Sequence, residues 1–131
     1  MRIACLAACA LLLLAGPAHA WVSLGETEST AYYLDPDTVK SEGERRRVWR
    51  LFDLKERQKN GIKSGKALIE IDCGASTYRY LRTMYYSDAM GKGKYLGGVR
   101  NQGREHIGPG SMIGQLARTV CDQPAQPAPA K

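Results

Sequence analysis

The chain has 131 residues, with 19 Lys and Arg against 13 Asp and Glu and a formal net charge of +6. That length supports one small domain of modest stability, and such a balance suits an acidic partner or simple solubility. With two histidines and four cysteines in the whole chain, material for a metal site or a catalytic triad is scarce.

The first twenty residues, MRIACLAACALLLLAGPAHA, place Arg2 before an apolar run from Ile3 to Ala15 and end on Ala18-His19-Ala20. Basic start, apolar core and small residues two apart predict a secretory signal over 1–20, cleaved before Trp21. The run falls short of the roughly 20 residues a membrane-crossing helix needs, and Gly16-Pro17 breaks it, so no transmembrane segment is expected after cleavage. Leu6-Ala7-Ala8-Cys9 resembles a lipid-attachment box, but most of the apolar segment lies after Cys9 and would remain in the product. Cleavage takes one basic residue and no acidic one, leaving an excess of +5. An exported chain meets little nucleic acid, which removes that partner.

Trp21–Gly25 reads as a short strand, followed by the β-prone ESTAYYL, which stops at Asp35-Pro36-Asp37 because proline lacks a ladder donor. These two aspartates are expected to bond the turn backbone. A second turn is expected at SEGE, residues 41–44. RRRVWRLFDL, residues 45–54, predicts a strand with both faces partly covered, given its aromatic and branched content. The polar KERQKNGIKSGK follows as a long hairpin tip around Asn60-Gly61.

The clearest alternation comes next, with Ala67, Ile69, Ile71 and Cys73 on one face and Leu68, Glu70 and Asp72 on the other. This predicts a half-buried strand that aims Cys73 inward. After a turn at Gly74-Ala75-Ser76, TYRYLRTMYY returns as an antiparallel partner. Strict alternation there places Tyr78 and Tyr80 with Arg82, Met84 and Tyr86, opposite Arg79, Leu81, Thr83 and Tyr85. YLGGV is a further short strand between loops. Met112, Ile113, Leu116, Ala117, Val120 and Cys121 form a stripe at helical spacing, capped by Ser111 and stopped by Pro124, so one helix of about ten residues is expected. Residues 123–131 are expected to be a disordered Pro/Ala-rich tail.

Only Cys73 and Cys121 remain after signal removal, and in an oxidising compartment one pair predicts one disulfide. The expected fold is therefore α+β: an antiparallel sheet of about five to six strands, with a C-terminal helix tied to it by Cys73–Cys121. No cofactor and no catalysis are expected, since His106 would be the only imidazole left and no metal or phosphate-loop motif occurs.

Two features suggest binding. Arg45, Arg46, Arg47 and Arg50, continued by Lys55, Lys59, Lys63 and Lys66, form a basic segment able to hold a polyanion or to solubilise the sheet. Tyr78 and Tyr80 in an arginine-containing strand suit an interface, though they equally suit covering a small core.

The order Trp21, Tyr32-Tyr33-Leu34-Asp35, Val48-Trp49, Glu70-Ile71-Asp72-Cys73, Tyr78-Arg79, Tyr86-Ser87, Gly91-Lys92-Gly93 and Pro109-Gly110-Ser111, closing on Cys121, resembles the bacterial surface-adhesin protein E family over residues 21–122. The resemblance implies an exported, outer-membrane-associated module that binds host laminin, vitronectin and plasminogen, with a homodimer as a further implied partner. The chain departs from that pattern in lacking a correctly placed lipid cysteine and any recognisable ligand segment in Lys55–Lys66. The alternative is a periplasmic structural or accessory protein whose partner is another envelope component.

Overall fold

The computed structural model describes residues 20–122, so the tail 123–131 and all but Ala20 of the expected signal lie outside the described residues. Eight strands and one α-helix follow in the order β1 (Val22–Glu26), β2 (Thr30–Leu34), β3 (Lys40–Glu42), β4 (Arg45–Leu54), β5 (Ser64–Asp72), β6 (Thr77–Tyr86), β7 (Tyr95–Arg100), β8 (Glu105–His106) and α1 (Met112–Cys121). Every pairing is antiparallel. The main path runs β1-β2-β4-β5-β6-β7, with β3 also on β4 and β8 also on β6.

The long central strands account for this layout. β4, β5 and β6 carry nine or ten residues each and pair along nearly their whole length. β2 and β3 then share one flank of β4, because Asp35-Pro36 interrupts the chain between them. Asp35 Oδ1 accepts from the Asp37 amide at 3.1 Å, and Thr38 Oγ1 both donates to the Asp35 carbonyl and accepts from the Trp49 amide. The expected turn at residues 41–44 is smaller than its sequence suggested, since Ser41 and Glu42 belong to β3. In the hairpin tip Gly61 adopts φ +91°, a conformation that glycine takes without steric cost.

One face of the sheet is covered by α1. Leu24, Leu34, Val48, Ala67, Ile69 and Ile71 meet Ile113, Leu116 and Val120 in a single buried cluster. Each fully covered aliphatic side chain contributes about 1.5–3 kcal/mol. Ser111 caps the helix by accepting from the Gly114 amide at 3.0 Å. A Cβ at Gly114 would lie 3.1 Å from the Gly108 carbonyl oxygen, so close approach of the preceding loop explains a residue that weakens the isolated helix. Cys73 and Cys121 are bonded, with Cα atoms 5.8 Å apart, and fasten the last helical turn to the end of β5. The expected antiparallel sheet, single C-terminal helix and disulfide are all present, with two to three more strands than anticipated.

Candidate binding surface

Residues directly opposite each other in an antiparallel pair project to the same face. On β5, Ala67, Ile69 and Ile71 point to the helix, so Leu68, Glu70 and Asp72 point to the open face. Their neighbours in register define rows across that face: Arg45 opposite Asp72, Lys40–Arg47–Glu70–Arg79, then Trp49–Leu68–Arg82–Arg100. A bulge at Leu81 makes this possible. Ile69 pairs with Tyr80 but Leu68 pairs with Arg82, which leaves Leu81 without an opposite residue and reverses the alternation.

Consequently Arg79 and Arg82 share the open face, although strict alternation separates them. The expected grouping of Tyr78 and Tyr80 with Arg82, Met84 and Tyr86 is corrected by the same bulge. Tyr78 and Tyr80 face the helix side, where they pack against the core and meet edge-to-face with ring centroids 5.8 Å apart.

At the centre of the open face lies Glu70, only 1% exposed. Its Oε1 accepts from Arg79 Nε at 3.1 Å and Arg104 Nη2 at 2.9 Å, and its Oε2 accepts from Arg47 Nε at 3.1 Å. Arg45 Nη1 approaches Oε1 at 3.9 Å. Burial pushes the Glu70 carboxyl up, but the hydrogen bonds from Arg104, Arg47 and Arg79 together bring it below its ordinary value. Glu70 is thus a carboxylate that holds four guanidiniums in place. Arg45 and Arg47 remain 56% and 51% exposed, while Arg79 and Arg104 are about one-third exposed. On the same face Glu42 and Asp72 stand opposite Arg45 and Lys40 stands opposite Arg47, so five basic side chains meet three carboxylates, and each guanidinium carries more donors than the cluster uses.

Other residues of the expected basic segment are dispersed. Arg46 and Arg50 fall on the helix-side face of β4 with Val48, and only 5% and 6% of them is exposed, which removes both from the expected surface. Arg46 Nη1 donates to the Gly43 carbonyl at 2.7 Å. Arg50 lies over the rings of Tyr32 and Tyr80, and its Nη2 donates to the Tyr80 hydroxyl at 2.9 Å. Lys55 and Lys63 lie at the other end of β4, nine residues at about 3.3 Å each from Arg45, or about 30 Å, whereas Lys66 stands opposite Leu51, about 20 Å from Arg45. Lys55 pairs with Glu26, Lys63 pairs with Asp53 and donates to the Leu54 carbonyl, and Lys66 sits over the Tyr86 ring. Lys59 is exposed on the tip. Hairpin and arginine triplet therefore do not form one continuous patch.

Arg79, Arg104 and Glu70 were not expected as site residues. Arg47, Glu70 and Arg79 meet only through strand register, and Arg104 arrives from a loop 34 residues beyond Glu70. His106 is exposed on β8, Ser111 serves as the helix cap, and Asp35 bonds its turn, so these groups do not assemble a catalytic site. The described residues contain no group of three or more His, Cys, Asp or Glu side chains able to hold a metal ion. No helix among them is long and apolar enough to cross a membrane.

The chain is thus a small domain built as a disulfide-tied antiparallel sheet, covered on one face by a single helix and arginine-rich on the other. The family model for surface-adhesin protein E matches residues 21–122, and the chain belongs to that family. At family level its role is exported, non-enzymatic and adhesin-like. The fold is shared with solved structures of Haemophilus influenzae protein E. One aligns with a TM-score of 0.61 at 14% identity, covering 81% of this chain and 89% of that chain. A second crystal form gives 0.59 at 15% identity over 69% and 79%. The protein from a non-typeable strain gives 0.55 at 14% identity over 82% and 78%. No curated protein gives a significant sequence match.

Proposed function

We propose that the protein is an adhesin-like binding module whose contact surface is the open face of the sheet, centred on Arg45, Arg47, Arg79 and Arg104. The observation that carries this reading is the buried Glu70 carboxylate beneath four guanidiniums. It pre-orders their side chains, so an acidic partner meets donors already positioned. The partner is an acidic extracellular-matrix protein or a polyanion, and the protein works at the cell surface. Replacing Arg45 and Arg47 by Gln should weaken adsorption to immobilised matrix proteins, most strongly at low salt. Unchanged binding by the folded double variant would remove the role given to this face. Protease added to intact cells should degrade the protein; protection until the outer membrane is opened would instead support a periplasmic accessory role.

A second copy of the chain is also a partner, favoured by β7. This edge strand exposes Tyr95, Leu96 and Val99 beside backbone groups with no further strand. Sedimentation of wild type and Val99→Lys tests it, and a monomeric wild type at all concentrations would refute it.

A further inference from the structure

Next to the arginine cluster lies a cleft of ≈ 190 Å³ lined by Trp21, Asp35, Thr38, Trp49, Lys66 and Met84. It holds both tryptophans of the chain. Trp49 opens the row that continues through Leu68 to Arg82 and Arg100, and Lys66 and Met84 face each other one row further along. Rows lie two residues apart, about 6.7 Å, and neighbouring strands about 4.8 Å apart. Aromatic walls and guanidiniums thus succeed one another across a single face, while Asp35 and Thr38 at the cleft are engaged in their own turn.

Arg82 and Arg100 form the independent clue. They are directly opposite each other across β6 and β7, both exposed, and like charges in that relation destabilise a sheet. A bound anion would reverse the sign of that contribution. Arginine rather than lysine forms this row, and its planar fork suits bidentate capture of tetrahedral oxyanions. The half-buried Trp49 and Leu68 lie level with the charged row and offer little to insert into a lipid layer.

We propose that the open face binds a sulfated polysaccharide, with one sugar ring against the tryptophans of the cleft and sulfate groups on Arg82, Arg100 and the adjoining Arg47 and Arg79. This rests on the reading of the open face as the contact surface and names its ligand class.

The test titrates purified protein with a heparin-derived oligosaccharide while following tryptophan fluorescence, at low and high salt. A chemically desulfated oligosaccharide of equal length and anionic phospholipid vesicles serve as comparisons. The sulfated chain should change the fluorescence with an affinity that falls as salt rises, and the desulfated chain and vesicles should not. Arg82→Gln with Arg100→Gln, both exposed, should weaken binding about tenfold or more. Trp49→Leu should weaken it with the disulfide and circular dichroism intact.

Absence of a fluorescence change, equal binding of the desulfated chain, preference for vesicles, or wild-type affinity in the double arginine variant would each overturn the saccharide site. If Arg45→Gln with Arg47→Gln still abolishes matrix-protein binding when the sulfated chain fails, the contact surface stands and only the saccharide site falls. If neither responds, both fall.

Discussion

Glu70→Gln is the most direct probe of the arginine-rich face, because it keeps the side-chain shape while removing the charge and turning one acceptor oxygen into an NH2 donor. Three hydrogen bonds of 2.9–3.1 Å then lose their ionised acceptor. Removing one member of a buried ion pair costs about 3–5 kcal/mol. Here only Glu70 is buried, and its partners remain one-third to one-half exposed, so solvent screens the orphaned guanidiniums. With its carbonyl at the Oε1 position, Gln also still accepts from Arg79 and Arg104 and loses only the bond from Arg47. We expect a loss of about 2–3 kcal/mol, which lowers the melting temperature by on the order of 10 °C or more for a domain of this size. Urea unfolding followed by circular dichroism measures it.

The pH dependence supplies a second, independent readout. The folded-state pKa of Glu70 is lowered, so its stabilisation is fully present above the ordinary value of 4.5 and is lost as pH falls through the folded value. The difference between wild type and Glu70→Gln should therefore be largest near neutrality and shrink in acid. A difference within about 0.5 kcal/mol at pH 7, or one that grows as pH falls, would refute the assignment of Glu70 as the anchor.

Opening the Cys73–Cys121 bond frees a 48-residue separation, worth about 4 kcal/mol by the chain-entropy model, so a Cys73→Ser/Cys121→Ser protein should melt far below wild type in calorimetry. Ser111→Ala should cost about 1 kcal/mol in urea unfolding, whereas Gly114→Ala should bring none of its usual helical gain, because its Cβ would press on the Gly108 carbonyl. Burial, followed by the hydrogen bond to and charge of Glu105, pushes the Tyr78 phenol up to about 12 from 10.0. Its stabilisation is thus complete below pH 10 and lost as pH rises toward 12. Ultraviolet titration should show a late-ionising phenol that disappears in Tyr78→Phe.

Period-two alternation in β5 and the stripe in α1 are written locally, because each element buries one continuous face. Cys73 and Cys121 close those two patterns, so their pairing was legible as well. β3 and β8 were not, since three and two residues carry no period. The arginine site was half legible: Arg45 and Arg47 announce themselves, but Arg46 and Arg50 alternate with them into the core. Arg79 was assigned away from Arg82 because a bulge leaves no mark on composition. Glu70 was seen on the correct face, yet its burial depends on guanidiniums that arrive from β4, β6 and a distant loop. Only strand register brings those together.

One ten-residue helix cannot cover both faces of an eight-stranded sheet; on the second face Leu51 is buried near Gly91, and the rows beyond it carry side chains that tolerate water. A flat apolar face would associate with any similar surface. Arginine solves this, because its long stem covers the strands while its charged head remains solvated. Unanchored, such side chains would lose considerable conformational freedom on meeting a partner. Glu70 incurs that ordering during folding, offset by three charge-assisted hydrogen bonds. Under the proposed function, the same carboxylate orders these side chains for an anionic partner. A single bulge at Leu81 aligns Arg82 and Arg100 with that cluster and turns isolated charges into a track.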